Sequence, residues 1–236
     1  MIDDVFAANR AYLLGWNDGP AEDDIYRSEV PHAPLNGVVR VHGRPLAEAY
    51  AQACDRLAGL PRVWWVGQDS DPGTTDGLLG LGATVLADRM PVMAAPVGAV
   101  CSGVELPGLV IEEATDVGEF VAAYARVSGI PEVGVPIAVE RDKALPVLRL
   151  VGRLEDGSIV GTAEAFFSHG LVLLYFVGTQ PEHRRRGIGT AMSRAVLRHA
   201  DARGIRTAAL TSSTMGEAVY RRLGFREVGS YRLFGF

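Results

Sequence analysis

The sequence predicts an α+β chain, and three observations carry that prediction. Leu171 to Val177 is an unbroken apolar run, the mark of a strand covered on both faces, and it leads through a basic, glycine-bearing loop into a helical pattern. Leu145 to Leu154 and Ile159 to Ser168 are two strand patterns joined by Glu155-Asp156-Gly157-Ser158, a hairpin signal. The order strand, polar loop, short helix, Leu-Gly, strand occurs twice, near residues 62–90 and 206–236, with Leu81-Gly82-Ala83 standing where Leu223-Gly224-Phe225 does. Strands in hairpins, mixed with helices, need a sheet packed against a helical layer.

The elements follow in order. Residues 3–16 carry Val5, Phe6, Tyr12, Leu13 and Trp16 near one helical face. Residues 17–36 are rich in Pro, Asp and Glu, with a short strand near Ile25, and Asn36 to Val41 reads as a strand. Pro45 opens a helix that runs through Ala47, Tyr50, Ala51, Cys54, Leu57 and Ala58 to a Gly59 stop. Arg62 to Gly67 is a strand whose Trp64 and Trp65 point to opposite faces, one to the core and one toward a cleft between the halves. Asp69 to Gly73 is a loop, a short helix ends at Leu81-Gly82, and a strand covers Ala83 to about Ala94. Pro96, Gly98, Gly103, Pro107 and Gly108 mark a linker. Leu109 to Glu112 is a strand, and Asp116 caps a helix with Glu119 three residues on. Residues 130–136 read as irregular. After the hairpin, with His169 in a solvated turn, come the central strand, the loop and a helix to Arg203, stopped by Gly204.

Composition excludes several classes. A hydrophobic fraction of 48% and a charged fraction of 22% fit a globular protein. A net charge of −5 argues against a general nucleic-acid binder, because the arginines near 184 are local. No apolar run approaches the ~20 residues of a membrane span, and Met1-Ile2-Asp3-Asp4 does not open a signal peptide. Cys54 and Cys101 form neither a disulfide framework nor a metal-ligand spacing, and read as small buried residues of a reduced cytoplasm. The expectation is a cytoplasmic monomer or homodimer without metal, membrane or nucleic-acid partner.

The loop after the central strand carries the chemistry. Arg184, Arg185 and Arg186 precede Gly187-Ile188-Gly189, and Ile188, Ala191, Met192 and Ala195 begin a helix. Helix-opening amides lack partners within the helix and point outward, and the helix dipole adds positive potential. Glycines let an anion's oxygens reach the backbone. No Gly-Lys-Ser/Thr follows, so the loop is not a Walker A, and half of the dinucleotide fingerprint is missing.

Arg184-x-x-Gly187-x-Gly189 directly after an apolar strand resembles the acetyl-coenzyme A loop of the GNAT N-acetyltransferase superfamily. Tyr220-Arg221-Arg222-Leu223-Gly224-Phe225 resembles the helix-to-strand junction near the end of the same fold. The resemblance covers residues 109–236 and implies a mixed, mostly antiparallel central sheet flanked by helices. With the repeated element order it implies a duplication: residues 1–97 a degenerate half, 98–108 a linker, and 109–236 the acetyltransferase half.

The resemblance also implies roles. Phe176 and Val177 would line the pantetheine slot, with the Val177 amide toward the thioester carbonyl after the strand splays. The amides of Arg185, Arg186, Gly187, Ile188, Gly189 and Thr190 would wrap the diphosphate of acetyl-CoA, the Thr190 hydroxyl adding to them and Arg184 or Arg185 pairing with a phosphate oxygen. Tyr220 is the candidate general acid for the leaving thiolate. Ser213 stands where relatives often carry Asn, a weaker partner for pantetheine. The central strand holds no carboxylate, so Glu164 on the preceding strand is the remaining candidate to take the amine's proton. The implied function is direct acetyl transfer from acetyl-CoA to an amine of a small molecule or peptide. The alternative is a non-catalytic acyl-CoA-binding or regulatory module in which Tyr220 only packs.

Overall fold

A computed structural model describes residues 2–18, 24–100 and 106–236. Ten strands form one sheet in the order β1-β2-β3-β10-β4-β9-β8-β7-β6-β5. They are β1 (Ile25–Arg27), β2 (Asn36–Val38), β3 (Val63–Val66), β4 (Thr84–Pro96), β5 (Val110–Glu113), β6 (Val147–Arg153), β7 (Ile159–Ser168), β8 (Leu171–Thr179), β9 (Thr207–Thr211) and β10 (Arg226–Gly235). The helices are α1 (Ile2–Leu14), α2 (Leu46–Arg56), α3 (Thr74–Gly80), α4 (Val97–Val100), α5 (Val117–Ser128), α6 (Val135–Ala144), α7 (Ile188–Ala202) and α8 (Thr214–Arg222). The pairs β2/β3 and β8/β9 are parallel, and the other neighbours are antiparallel.

Side-chain alternation along the strands sorts the core into two faces. Trp65, Ala94, Val151 and Ala209 point to one face, with Phe6 and Tyr12 of α1, Trp16 just after it, and Phe120 and Tyr124 of α5. Leu150, Met93 and Ala208 point to the other, where Ile188, Met192 and Val196 of α7 cover them. Trp64 packs on that second face with Ala49 and Ala53 of α2 and Leu78 of α3. Both tryptophans are therefore buried, so neither faces an open cleft as expected for one of them.

The two segments either side of the linker cross over. β10 lies between β3 and β4, and β4 lies between β10 and β9. The longest ladder, β4 against β10 from Arg226↔Ala94 to Gly235↔Thr84, thus joins the last strand of each segment. β3–α3–β4 and β9–α8–β10 repeat the same element order, as the Leu-Gly repeat predicts.

Several local expectations change. Residues 135–144 form α6, whose first two residues overlap the end of the stretch 130–136 expected to be irregular. Its amphipathic pattern is weak because Glu140, Arg141 and Lys143 interrupt it, while Ala138 and Asp142 are the buried positions. Cys54 is half-buried rather than buried. Residues 101–105 of the linker, Cys101 among them, lie outside the described residues. Asp116 does cap α5, its Oδ1 accepting from the amide of Gly118 at 2.7 Å.

Candidate active site

The site forms where two parallel strands part. β8 pairs with β9 only from Leu171↔Thr207 to Leu173↔Ala209. Both strands continue, to Thr179 and Thr211, with their facing edges no longer bonded to each other. The separation begins four residues before Val177, where it was expected.

Within the parted stretch β8 carries a bulge. The register with β7 passes from Glu164↔Tyr175 to Thr162↔Gly178, so Phe176 and Val177 together stand against Ala163. Phe176 has φ +43°, a left-handed backbone that costs a non-glycine residue on the order of 1–2 kcal/mol and persists where its surroundings over-determine it. Thr162 Oγ1 donates to the Phe176 carbonyl at 2.9 Å. The Tyr124 ring stacks on Phe176 with centroids 4.0 Å apart. The bulge turns Tyr175 and Phe176 to the same face and Val177 to the other.

The loop after β8 presents its amides. Arg185 (φ +63°) and Gly187 (φ +86°) turn the chain into α7. The first bond of the helix runs from the Ala191 amide to the Gly187 carbonyl at 3.0 Å. Among the described residues, no protein oxygen accepts from the amides of Arg185 to Thr190. Arg184, Arg185 and Arg186 are exposed, and Arg184 Nε reaches the Thr179 carbonyl at 3.4 Å. Two facing glycines seat this corner. Gly152 and Gly161 are cross-strand partners; a Cβ at Gly161 would stand 2.7 Å from Ile188 Cγ2, and one at Gly152 2.9 Å from Met192 Sδ. The first turn of α7 therefore lies against bare backbone.

Tyr220 lies across the parted strands on α8. It is half-buried, its ring edge-on to Phe225 at 5.7 Å. Burial pushes its phenol above the usual tyrosine range, and a hydrogen bond with Ser193 offsets part of that. Ser193 Oγ in turn donates to the Gly189 carbonyl at 2.8 Å, linking Tyr220 to the first turn of α7. Arg89 of β4 pairs with Glu217 of α8 and Glu227 of β10, which ties α8 to both exchanged strands. Ser213 is the N-cap of α8, its hydroxyl accepting from the Gly216 amide at 3.3 Å, and the residue is exposed.

Glu164 stands apart from these groups. It is on the α1/α5 face, with no exposed surface. Tyr12 Oη donates to its Oε2 at 2.7 Å. Burial, then the charge of Asp142, push its carboxyl well above the usual glutamate range. Asp142 pairs with Arg149 and accepts from Tyr124 Oη at 3.3 Å. Among the described residues, no donor reaches Glu164 Oε1, while Asp142 lies within hydrogen-bonding reach of the Glu164 carboxyl. Two buried carboxyls beside one guanidinium favour the protonated form of Glu164. With no exposed surface and a carboxyl shifted toward its protonated form, Glu164 is poorly placed to take a proton from an amine. Its partners Tyr12, Asp142 and Arg149 carried no signal in the sequence, because the contact with Tyr12 spans 152 residues.

The first segment has the same succession: a strand (β2), a basic loop, a helix (α2) and a parallel strand (β3). Its loop, Arg40 to Pro45, holds Gly43 at φ +67°. Here Asp71 closes the corner. Its Oδ2 accepts from the Gly43 amide at 2.7 Å, and its Oδ1 lies 2.9 Å from His42 Nδ1. Among the described residues, no group of three or more His, Cys, Asp or Glu is placed to hold a metal, and no helix is long and apolar enough to cross a membrane.

The fold is shared widely. A GCN5-related N-acetyltransferase from Kribbella flavida superposes with a TM-score of 0.70 at 20% identity, over 98% of this chain and 93% of that one. One from Sphaerobacter thermophilus gives 0.61 at 21% identity, over 83% and 69%. A tandem GNAT protein from the clavulanic acid biosynthesis pathway gives 0.60 at 14% identity, over 83% and 70%. No curated protein matches the chain in sequence. The profile of the acetyltransferase (GNAT) family matches residues 120–225, a span that holds the parted strands, the amide loop and Tyr220. Residues 120–225 thus match the acetyltransferase (GNAT) family, and the whole chain shares the fold of GCN5-related N-acetyltransferases.

Proposed function

We propose that the chain is an acetyl-CoA-dependent N-acetyltransferase whose donor site lies between β8 and β9. The observation that carries this reading is the row of unpartnered amides from Arg185 to Thr190 at the mouth of two parted parallel strands. Those amides and the α7 dipole suit a diphosphate, and Arg184 or Arg185 adds a charge-assisted contact. The pantetheine arm takes the free edge of β8, and the thioester meets the bulge at Phe176 and Val177. The amine nitrogen bonds to the acyl carbon as the carbon–sulfur bond breaks, and Tyr220 gives the thiolate its proton. A phenol, at about 10, is a weaker acid than a thiol, at about 8.5. Burial keeps Tyr220 protonated and makes its transfer harder, so the reaction relies on an equally dry thiolate. The amine arrives neutral or loses its proton to water, because Glu164 is sealed.

The duplicated element order and the exchange of β4 and β10 support a tandem origin, with residues 1–97 as a half without a donor site. One observation favours the rival, a non-catalytic acyl-CoA-binding module: the buried state of Glu164 leaves the central strands without an available base. Thiol release with a panel of amines, run on the unmodified chain and on Tyr220→Phe, separates the two. Catalysis predicts turnover lowered about 10²-fold or more with acetyl-CoA affinity within about twofold. Bound acetyl-CoA with no thiol release on any amine would support the module.

A further inference from the structure

α1 belongs to the first segment, yet it is built into the wall of the second segment's bulge. Tyr12 stacks on Tyr175 of β8 with ring centroids 3.5 Å apart and planes 16° apart. The same side chain donates to Glu164 of β7 at 2.7 Å. Tyr175 and Glu164 are direct cross-strand partners, and they are the last pair in register before the bulge. Trp16, two residues past the end of α1, sets its ring edge on Phe176 at 5.9 Å. Asn9, one turn back, accepts from Tyr175 Oη and donates to Tyr231 Oη of β10 at 3.1 Å. One helix thus grips both strands at the register step, and Asn9 and Trp16 hold it there.

A bulge with a left-handed phenylalanine is a strained place in a ladder. It needs a restraint on each side of the step, or the register relaxes. Thr162 and Tyr124 supply the restraint beyond the step. Tyr12 is the group that spans the two strands before it.

We propose that Tyr12 is a positioning residue for the acyl end of the donor site: the first segment serves the second by holding the Phe176–Val177 bulge in the register that meets a thioester. This inference rests on the donor-site reading above. The diphosphate grip depends on the loop before α7, whereas the acyl contact depends on the bulge. The two ends of the ligand are therefore separable.

Calorimetry of acetyl-CoA and of CoA on the full chain tests this, with Tyr12→Phe removing the donor and Tyr12→Leu removing donor and stack. The expected result is a loss of acetyl-CoA affinity of about fivefold for Tyr12→Phe, the size of one hydrogen bond, and a larger loss for Tyr12→Leu. CoA affinity stays within twofold in both. Glu164→Gln, which keeps an oxygen to accept from Tyr12 and a neutral side chain toward Asp142, is expected to leave the acetyl-CoA to CoA ratio unchanged. An unchanged ratio in Tyr12→Phe and Tyr12→Leu overturns the proposal. An equal fall for both ligands also overturns it, since that is the signature of a merely structural residue. Absence of heat with CoA on the unmodified chain overturns the donor-site reading itself, and this inference with it.

Discussion

The corner between β8 and α7 and the corner between β2 and α2 are built alike and finished differently. Each follows a strand with a loop that carries arginines and a left-handed glycine, Gly187 in one and Gly43 in the other, and opens a helix beside a parallel strand. In the second segment, among the described residues, the amides from Arg185 to Thr190 meet no protein oxygen. In the first, Asp71 supplies a carboxylate to the Gly43 amide and to His42. A carboxylate is itself an anion, so it satisfies the same outward amide and the same local positive charge that a phosphate would. On the donor-site reading proposed above, one side chain from the neighbouring loop separates two corners that share a strand–loop–helix frame. A single coenzyme A per chain is the expectation that this comparison makes.

The largest test is to give the second corner the chemistry of the first. A Cβ at Gly189 would meet Thr179 Oγ1 at 3.6 Å, an ordinary contact. Gly189→Asp is therefore expected to fold and to place a carboxylate among the loop amides. Losing charge-assisted contacts of about 1.5–3 kcal/mol lowers CoA affinity by roughly 10- to 150-fold, read by calorimetry. Unchanged CoA binding would break the comparison.

The comparison extends to charge state. Asp71 closes its corner at a water-exposed position, whereas burial and then Asp142 push the Glu164 carboxyl well above the usual glutamate range. An acid whose folded pKa is raised stabilises the fold fully below its unfolded value, about 4.3, and loses that contribution as pH rises toward the folded value. Glu164→Gln removes this dependence. Its melting temperature is expected to gain on that of the unmodified chain as pH is raised from about 4.5 to 8, measured by thermal unfolding. Turnover of the variant is expected to persist; abolished turnover with retained acetyl-CoA binding would restore Glu164 as the base.

The smallest effect belongs to the first corner. Asp71→Ala frees the Gly43 amide at a position open to water, so the loss of stability is about 1 kcal/mol in chemical denaturation. Binding remains at one CoA per chain in titration calorimetry. Two equivalents bound to the unmodified chain would sink the contrast between the corners.

Much of the C-terminal segment was legible because its signals are local. The apolar run of β8, the glycines after it and the Leu-Gly turn before β10 each declare themselves within ten residues. The bulge was not legible, since Tyr175, Phe176 and Val177 are plain apolar letters and the step exists only in register with β7. Glu164 read as an accessible strand carboxylate for the same reason. Its burial is imposed by Tyr12, and α1 gave no hint of its destination beyond an apolar face. Asp71 read as a loop residue, because a carboxylate that closes an amide is indistinguishable in sequence from one that faces solvent. α6 was missed because its charged residues outnumber its buried ones.

The interlocked middle of the sheet has one more consequence. On the β10 side, Trp64 and Trp65 of β3 pair with Phe234 and Leu233. Translation must therefore pass residue 234 before the opening third of the polypeptide can complete its own layer. A premature stop just past Gly224 would leave those tryptophans, encoded 160 codons upstream, without that neighbour.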